Sequence, residues 1–169
     1  SLIEAGKLRL DFAAFELCPI VLETLEAFAP NITRKSLRLR TAVDRSIGEI
    51  YSDPARVRQI VNYLLSNAVK STPADGEIQV ALSIDDGYAC LSVQDSGRGF
   101  DPEFLPDTFS GTSDRMSSLA SMRGGLGLAI TKHLVELLGG RVRVQSAGAD
   151  MGATFKVAFP LISSVALAD

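Results

Sequence analysis

Residues 53–70 read DPARVRQIVNYLLSNAVK, and they predict the helix around which the rest of the chain is organised. Asp53 offers an N-cap acceptor, and Pro54 suits the first helical position. Apolar residues then recur at the spacing of an amphipathic helix: Val57, Ile60, Val61, Leu64, Leu65 and Ala68. Pro73 and Gly76 are expected to end the helix. One apolar face of this helix should therefore pack against the remainder of the domain.

Asn67 places a polar group towards that apolar face, because it follows Leu64 by three residues and Ile60 by seven. Burying an amide without partners costs on the order of 1–3 kcal/mol. A role as an oxygen ligand of Mg²⁺ would explain the position. Lys70, one turn later on the same side, is placed to reach phosphate oxygens. An asparagine that is hydrogen-bonded in the core, beside a solvated lysine, explains the same residues without a ligand.

The segments on either side predict an α+β, two-layer domain with mostly antiparallel strands. Before the central helix, alternation and helical spacing predict a strand at 8–12, a helix at 19–29 that stops at Pro30-Asn31, and strands at 37–42 and 47–51. After it, they predict a hairpin of strands 77–83 and 88–94 around Asp85-Asp86-Gly87, a helix at 127–138, and strands at 141–145 and 154–159.

The bulk composition excludes several classes of function. The length of 169 residues suits one domain, and the net charge of −3 gives no basic surface for nucleic acid. Cys18 and Cys90 form neither a metal pattern nor a disulfide framework, which fits a reducing cytoplasm. No apolar run approaches the ~18–20 residues that cross a bilayer. The first residues lack the layout of a signal peptide, so we expect a piece of a longer protein.

Two glycine-rich segments have the composition of ligand-binding loops. Asp95-Ser96-Gly97-Arg98-Gly99 follows a predicted strand, where a carboxylate is able to accept a hydrogen bond from an exocyclic amine such as that of adenine. Arg123-Gly124-Gly125-Leu126-Gly127-Leu128 precedes a predicted helix, where free backbone N–H groups and the helix dipole favour phosphate. A plain turn and a flexible linker are the respective alternatives.

Two further features are weaker. Residues 95–125 show little periodicity, and a loop of that length within a compact domain is usually functional or mobile. In Gly152-Ala153-Thr154-Phe155, the Thr154 hydroxyl on an inward-facing strand position would hold a water near a bound base, or would satisfy a neighbouring backbone group. His133, the only histidine, is expected on a helix surface rather than in catalysis. The sequence has no GxxxxGK[ST] motif, which excludes a nucleotide site of the P-loop type.

Taken in order, the Asn67 helix, DSGRG, a long loop, GGLGLAI and GATF resemble the ATP-binding domain of sensor histidine kinases, within the GHKL superfamily. The resemblance covers almost the whole chain. It implies a two-layer α/β sandwich with a mixed, mostly antiparallel sheet, the Bergerat ATP-binding fold. It also implies three parts: residues 1–10 as the end of a dimerisation helix and linker, 11–162 as the catalytic domain, and 163–169 as a tail.

The resemblance further implies a role for each matching residue, with ATP and Mg²⁺ as the cofactors. Asn67 would ligate Mg²⁺ and Lys70 would contact the phosphates. Asp95 would bind the adenine amine, and residues 101–124 would form a mobile lid, with Phe109 at its aromatic position. The remaining implied nucleotide contacts are Gly97, Gly99, Gly125, Leu126, Gly127, Leu128 and Thr154.

Three departures from the family pattern bear on activity. Tyr63 stands where family members often carry asparagine and where related ATPases carry a glutamate base, and a tyrosine does not act as a base at neutral pH. Arg123 stands at the leading glycine of the second glycine box. The sequence also contains no phospho-accepting histidine motif, so this chain should not phosphorylate itself.

The resemblance therefore predicts a cytoplasmic domain, the ATP·Mg-binding catalytic domain of a histidine kinase. Its expected partners are its own dimerisation domain, which carries the acceptor histidine, and a response regulator receiver domain; the full-length protein is expected to be a homodimer. Membrane anchoring of the parent stays open. The alternatives are an ATP-binding signalling module with weak or no kinase activity, and a GHKL ATPase.

Overall fold

The computed structural model describes residues 9–97, 127–146 and 151–162. Along these residues the chain forms β1 (Ala13–Glu16), α1 (Leu17–Arg34), β2 (Arg38–Val43), β3 (Glu49–Ser52), α2 (Pro54–Ser71), β4 (Glu77–Asp85), β5 (Tyr88–Asp95), α3 (Gly127–Leu137), β6 (Arg141–Gln145) and β7 (Ala153–Pro160). Within those ranges, every helix is too short or too polar to cross a membrane.

Five strands form the main sheet, in the order β2-β4-β5-β7-β6. β2 runs parallel to β4, because the chain crosses over through α2 between them, and the other neighbours are antiparallel. β1 and β3 form a separate antiparallel pair. This arrangement confirms the predicted α+β, two-layer domain with a mixed, mostly antiparallel sheet.

The three helices of the described ranges cover one face of the sheet. Alternate residues of the central strands point into the core on that face and are almost fully buried: Ile78, Val80, Leu82, Leu91, Val93, Phe155, Val157 and Phe159. The intervening residues lie on the opposite side, which we call the outer face. α2 is the central helix of the layer, since it contacts α1, α3 and β5.

Asp53 fixes the start of α2. One of its carboxylate oxygens accepts hydrogen bonds from the amides of Ala55 and Arg56, at 3.0 and 3.2 Å. The other accepts from the amide of Asp11 at 2.9 Å. A single buried carboxylate thus caps the helix and ties it to the chain that enters β1.

The end of α2 is held by Lys35, the residue that directly follows α1. The Lys35 ammonium donates to the carbonyl of Val69 at 2.7 Å, where a positive charge also suits the helix dipole. Thr72 donates its hydroxyl to the carbonyl of Ala68 at 2.7 Å. With both ends anchored, the side chains along α2 have a fixed position relative to the sheet.

Most predicted elements are confirmed to within a few residues, but two predictions were wrong. The first strand lies at 13–16 rather than 8–12, because residues 13–16 pair with β3 while the Asp11 amide bonds to Asp53. The helix predicted to stop at Pro30 continues to Arg34. A proline removes one helical hydrogen bond, and burial of Ile32 in the core holds the following turn in place. Of the predicted flanking segments 1–10 and 163–169, residues 1–8 and 163–169 lie outside the described ranges.

We expect Asp53→Ala to lower the free energy of unfolding by about 2 kcal/mol, since it removes a helix cap and a long-range hydrogen bond. Urea unfolding monitored by circular dichroism measures the change. Asp44→Ala is the matched control, because among the described residues the Asp44 side chain bonds only to nearby Ser46 on the surface, and this variant should change the midpoint little. Equal midpoints for the two variants would contradict the anchoring role of Asp53.

Candidate functional site

Three polar or aromatic residues line one face of α2 at intervals of four. Tyr63, Asn67 and Ser71 succeed one another along the helix, so they lie on the same side. Asn67 and Ser71 are buried and Tyr63 is half-buried. From Tyr63 to Ser71 the helix rises by about 12 Å. The predicted burial of Asn67 is confirmed: its side chain lies at the middle of this row.

At one end of the row, α2 meets the end of β5. A Cβ atom at Gly97 would overlap the backbone carbonyl of Ser71, so only glycine allows this approach. The Gly97 amide donates to the carboxylate of Asp95 at 2.9 Å. Asp95 is 4% exposed and ends β5. The structure therefore brings Asp95 and Gly97 against the last turn of the helix that carries Asn67.

A second glycine closes on Asp95 from the other side. Gly152 has a φ of +78°, and a Cβ atom there would overlap the carbonyl of Asp95. Its amide donates to the carbonyl of Gly97 at 3.0 Å. Sequence reasoning gave Gly152 only a weak role, although the GATF segment was the available signal. The position of Asp95 is thus fixed by two close backbone contacts, that of Gly97 with Ser71 and that of Gly152 with Asp95 itself.

The prediction that Thr154 faces inward was wrong. Thr154 pairs with Gln94 in the β5–β7 register, while the buried Ala153 pairs with Asp95. Successive side chains of a strand point to opposite faces, so Thr154 lies on the outer face. We therefore leave Thr154 out of the site and assign the position beside Asp95 to Ala153.

At the other end of the row, α2 meets the start of α3. A Cβ atom at Gly127 would overlap the ring of Tyr63, which therefore packs directly on the glycine backbone. Leu128 is 1% exposed in the core and holds the first turn of α3 in place. The first turn of a helix presents free N–H groups and the positive end of its dipole. The Tyr63–Gly127 contact sets that turn beside α2.

The other predicted site residues are exposed or fall outside the described ranges. Lys70 is exposed in the last turn of α2. His133 is exposed on α3, as predicted. Outside the described residues lie Gly99, Gly125, Leu126, Phe109, Arg123 and the predicted lid at 101–124. Within the described ranges, no group of three or more His, Cys, Asp or Glu side chains is placed to hold a metal ion.

The arrangement joins a buried acceptor, a buried amide and a helix start along one side of α2. Asp95 marks one end, Asn67 the middle and the first turn of α3 the other end. A carboxylate suits an amine-bearing ring, and a helix start suits an anion. An elongated ligand with an amine at one end and phosphates at the other matches this order.

Comparison with known proteins agrees with this geometry. Residues 52–163 match the family described as histidine kinase-, DNA gyrase B-, and HSP90-like ATPase. The sensor protein GacS of Pseudomonas syringae pv. syringae is 37% identical over 95% of this chain, which spans 18% of that protein. The circadian input-output histidine kinase CikA of Synechococcus elongatus is 34% identical over 95% of the chain and 22% of its own length.

Solved structures show the same fold. Full-length ShkA in complex with AMPPNP superposes with a TM-score of 0.75 and 28% identity, over 91% of this chain and 32% of that one. The catalytic domain of histidine kinase ThkA gives a TM-score of 0.73 at 23% identity, over 89% of this chain and 97% of that one. The chain spans about a fifth of the length of GacS and CikA, and it matches nearly all of an isolated catalytic domain. It therefore belongs to the histidine kinase-, DNA gyrase B- and HSP90-like ATPase family, as an ATP-binding domain of the sensor histidine kinase type.

Proposed function

We propose that this domain binds ATP together with Mg²⁺ and presents the γ-phosphate to a histidine on a dimerisation domain elsewhere in the parent protein. The observation that carries the proposal is the convergence of two segments, the end of β5 and the start of α3, on the side of α2 that carries Asn67. Asp95 lies at the Ser71 end of the row, and the start of α3 lies at the Tyr63 end. Asn67 lies between them, which is the order that adenine, metal and phosphates require.

At the adenine end, Asp95 would recognise the exocyclic amine. Its carboxylate accepts a hydrogen bond from the Gly97 amide, and a carboxylate accepts several donors at once. Gly97 and Gly152 hold the adjacent backbone without side chains, so the carboxylate keeps one orientation. A fixed acceptor in a buried position favours an amine over other ring substituents.

At the phosphate end, Asn67 would be the one protein ligand of the metal. Mg²⁺ usually takes one or two protein oxygens and completes its octahedral shell with phosphate oxygens and water. The buried Asn67 amide fits that chemistry. The exposed Lys70 ammonium would neutralise phosphate charge, and the first turn of α3 would add backbone donors. When bound, Mg²⁺ would withdraw charge from the transferring phosphoryl group.

The residues of this domain would position and neutralise the nucleotide rather than activate water. Tyr63 stands at the place where related ATPases carry a glutamate base, and its ring is packed against Gly127. An aromatic ring at this point excludes water and offers no base at neutral pH. This contact supports transfer to a histidine over hydrolysis. The same departure motivates the second candidate, an ATP-binding module that biases conformation with weak or no transfer.

We propose three partner relationships for the parent protein. Its dimerisation domain would supply the acceptor histidine, and the parent would act as a homodimer in the cytoplasm, where ATP is available. A receiver domain of a response regulator would take the phosphoryl group onward; the histidine kinase ThkA has been solved in complex with the response regulator protein TrrA. Nucleic acid is not among the proposed partners, because the net charge is −3.

Asp95→Asn should weaken the binding of a non-hydrolysable ATP analogue by about tenfold or more, because it places an amide where the adenine amine needs an acceptor. Isothermal titration calorimetry on this chain measures the affinity. Asp86→Asn is the control, since it removes the same charge in the exposed β4–β5 turn, where asparagine tolerates the φ of +49°. Unchanged affinity in Asp95→Asn would overturn the assignment of the adenine end.

Asn67→Ala should abolish the gain in nucleotide affinity that Mg²⁺ provides, since the metal loses its protein ligand. The same titration, run with Mg²⁺ and with a chelator, gives that gain as a ratio. Asn62→Ala is the matched control, because Asn62 lies on the exposed side of the same helix. A ratio in Asn67→Ala equal to that of the Asn62→Ala control would contradict the metal assignment.

The intact parent protein, supplied with labelled ATP, should acquire phosphate that is acid-labile and base-stable, as expected for phosphohistidine. This chain alone should bind nucleotide without steady release of phosphate. Nucleotide binding without transfer in the intact protein would favour the signalling module. Steady phosphate release by the isolated domain would favour an ATPase.

A further inference from the structure

The outer face of the sheet carries a cluster of cations beside a floor of small side chains. The strand registers align Ala81, Ser92, Lys156 and Arg143 in one row across β4, β5, β7 and β6, and Ser83, Cys90, Ala158 and Arg141 in the next row. The residues over β4 and β5 are small, and those over β6 and β7 are mostly cationic. These residues line an open depression of about 820 Å³.

Arg143 and Lys156 form a like-charge pair. They are direct cross-strand partners, and both side chains are exposed. Like charges directly opposite each other destabilise a sheet. Within the ranges 9–97, 127–146 and 151–162, neither side chain forms an ion pair with a carboxylate. Without a bound partner, the charges of Arg143 and Lys156 therefore repel each other, and no carboxylate in these ranges pairs with either of them.

The opposite edge of the same face shows how such a repulsion is usually relieved. Arg38 and Arg40 on β2 share the carboxylate of Glu77, at 4.0 and 3.7 Å. A hydrogen bond from Gln79, and then the charges of Arg40 and Arg38, lower the pKa of Glu77, which keeps it ionised between the two arginines. The pair at β6 and β7 has no equivalent of Glu77 among the described residues.

Arg141 extends the cationic cluster along β6. Its guanidinium lies 4.6 Å from the centroid of the Tyr88 ring. Stacking of this kind uses the flat face of the guanidinium, so the N–H donors at its edge stay available to an anion. Tyr88 therefore holds Arg141 at the rim of the depression as a pre-positioned donor.

The charge of the depression is polarised rather than uniform. Asp85 and Asp86 line its end at the β4–β5 turn, and Lys132 and Glu136, which form an ion pair with each other at 2.9 Å, line it from α3. Cys90 lies between the two ends: burial raises the pKa of its thiol, the charge of Asp85 raises it further and that of Lys156 lowers it. An occupant would place its acidic groups over β6 and β7 and its neutral or basic groups towards the turn.

We propose that this part of the outer face, centred on Arg141, Arg143 and Lys156, docks an acidic segment of a partner protein. Charge complementarity identifies the occupant, because three cations converge on a chain whose net charge is −3. Arg141 and Arg143 are about 7 Å apart along β6. That spacing, above an open depression with a floor of small residues, suits consecutive acidic side chains better than one small anion. The nucleotide site lies on the other side of the sheet, so the two functions are separable.

The test uses a fluorescein-labelled peptide of alternating glutamate and serine, with fluorescence anisotropy at low salt. The double variant Arg143→Gln/Lys156→Gln should bind it at least about tenfold more weakly than the unchanged chain. Arg38→Gln/Arg40→Gln is the matched control, since it removes the same charge from the other edge of the same face and should change binding little. Nucleotide affinity should be unchanged in both double variants.

Urea unfolding without peptide gives a second readout. Arg143→Gln/Lys156→Gln should unfold at a higher urea concentration than the unchanged chain, because the cross-strand repulsion is removed. Three results would each overturn the proposal: equal loss of peptide binding in both double variants, equal binding of a glutamine–serine peptide, or displacement of the peptide by an equal concentration of inorganic phosphate. The last would indicate a small-anion site.

Discussion

The close packing of α2 against backbone that has no side chain is the constraint on which the site depends. At one end Gly97 lies against the carbonyl of Ser71, and at the other Gly127 lies against the ring of Tyr63. Any larger residue at either glycine would push the neighbouring segment away from the helix. The side chain of Asn67 lies midway between these contacts. Its position relative to Asp95 and to the start of α3 is therefore set by two glycines, with Asp53 and Lys35 anchoring the helix itself.

The two faces of the sheet have different physical demands. The inner face must bury apolar side chains against three helices, and its residues are correspondingly large and almost fully covered. The outer face has no helix over it in the described part of the chain, so its side chains are available to contact solvent or a partner. The small residues, cations and acids found there contribute little to the core. Substitutions on that face should therefore affect recognition more than folding.

Much of the fold was predictable because its elements follow simple periodicities. The stripe on α2, the Asp53-Pro54 start and the turn at Asp85-Asp86-Gly87 each have a local physical cause, and each lies where the sequence indicates. The errors came from causes that are not local. The first strand is placed by its pairing with β3, and the helix continues past Pro30 because Ile32 finds a place in the core.

The residue types of the candidate site were predictable from the sequence, but the directions of all its side chains were not. Asp95 and Gly97 lie against the last turn of the helix that carries Asn67, since a helix face and a strand end are each fixed by short-range rules. The prediction for Thr154 was wrong because successive side chains of a strand point to opposite faces, so an error of one position moves a side chain to the other face. Gly152 is needed because its backbone lies against the carbonyl of Asp95 at the end of β5, and no local sequence pattern shows that contact.

The hydrogen bond between Gly152 and Gly97 joins two points that are distant in sequence, and it closes a large loop that contains α3 and β6. The entropy lost on closing a loop rises only with the logarithm of its length, by about 0.6 kcal/mol for each doubling. Insertions or deletions between these two glycines should therefore cost little stability, provided that they lie outside α3 and β6, which pack in the core and pair with β7. Changes of length outside these two elements should leave the carboxylate of Asp95 in place.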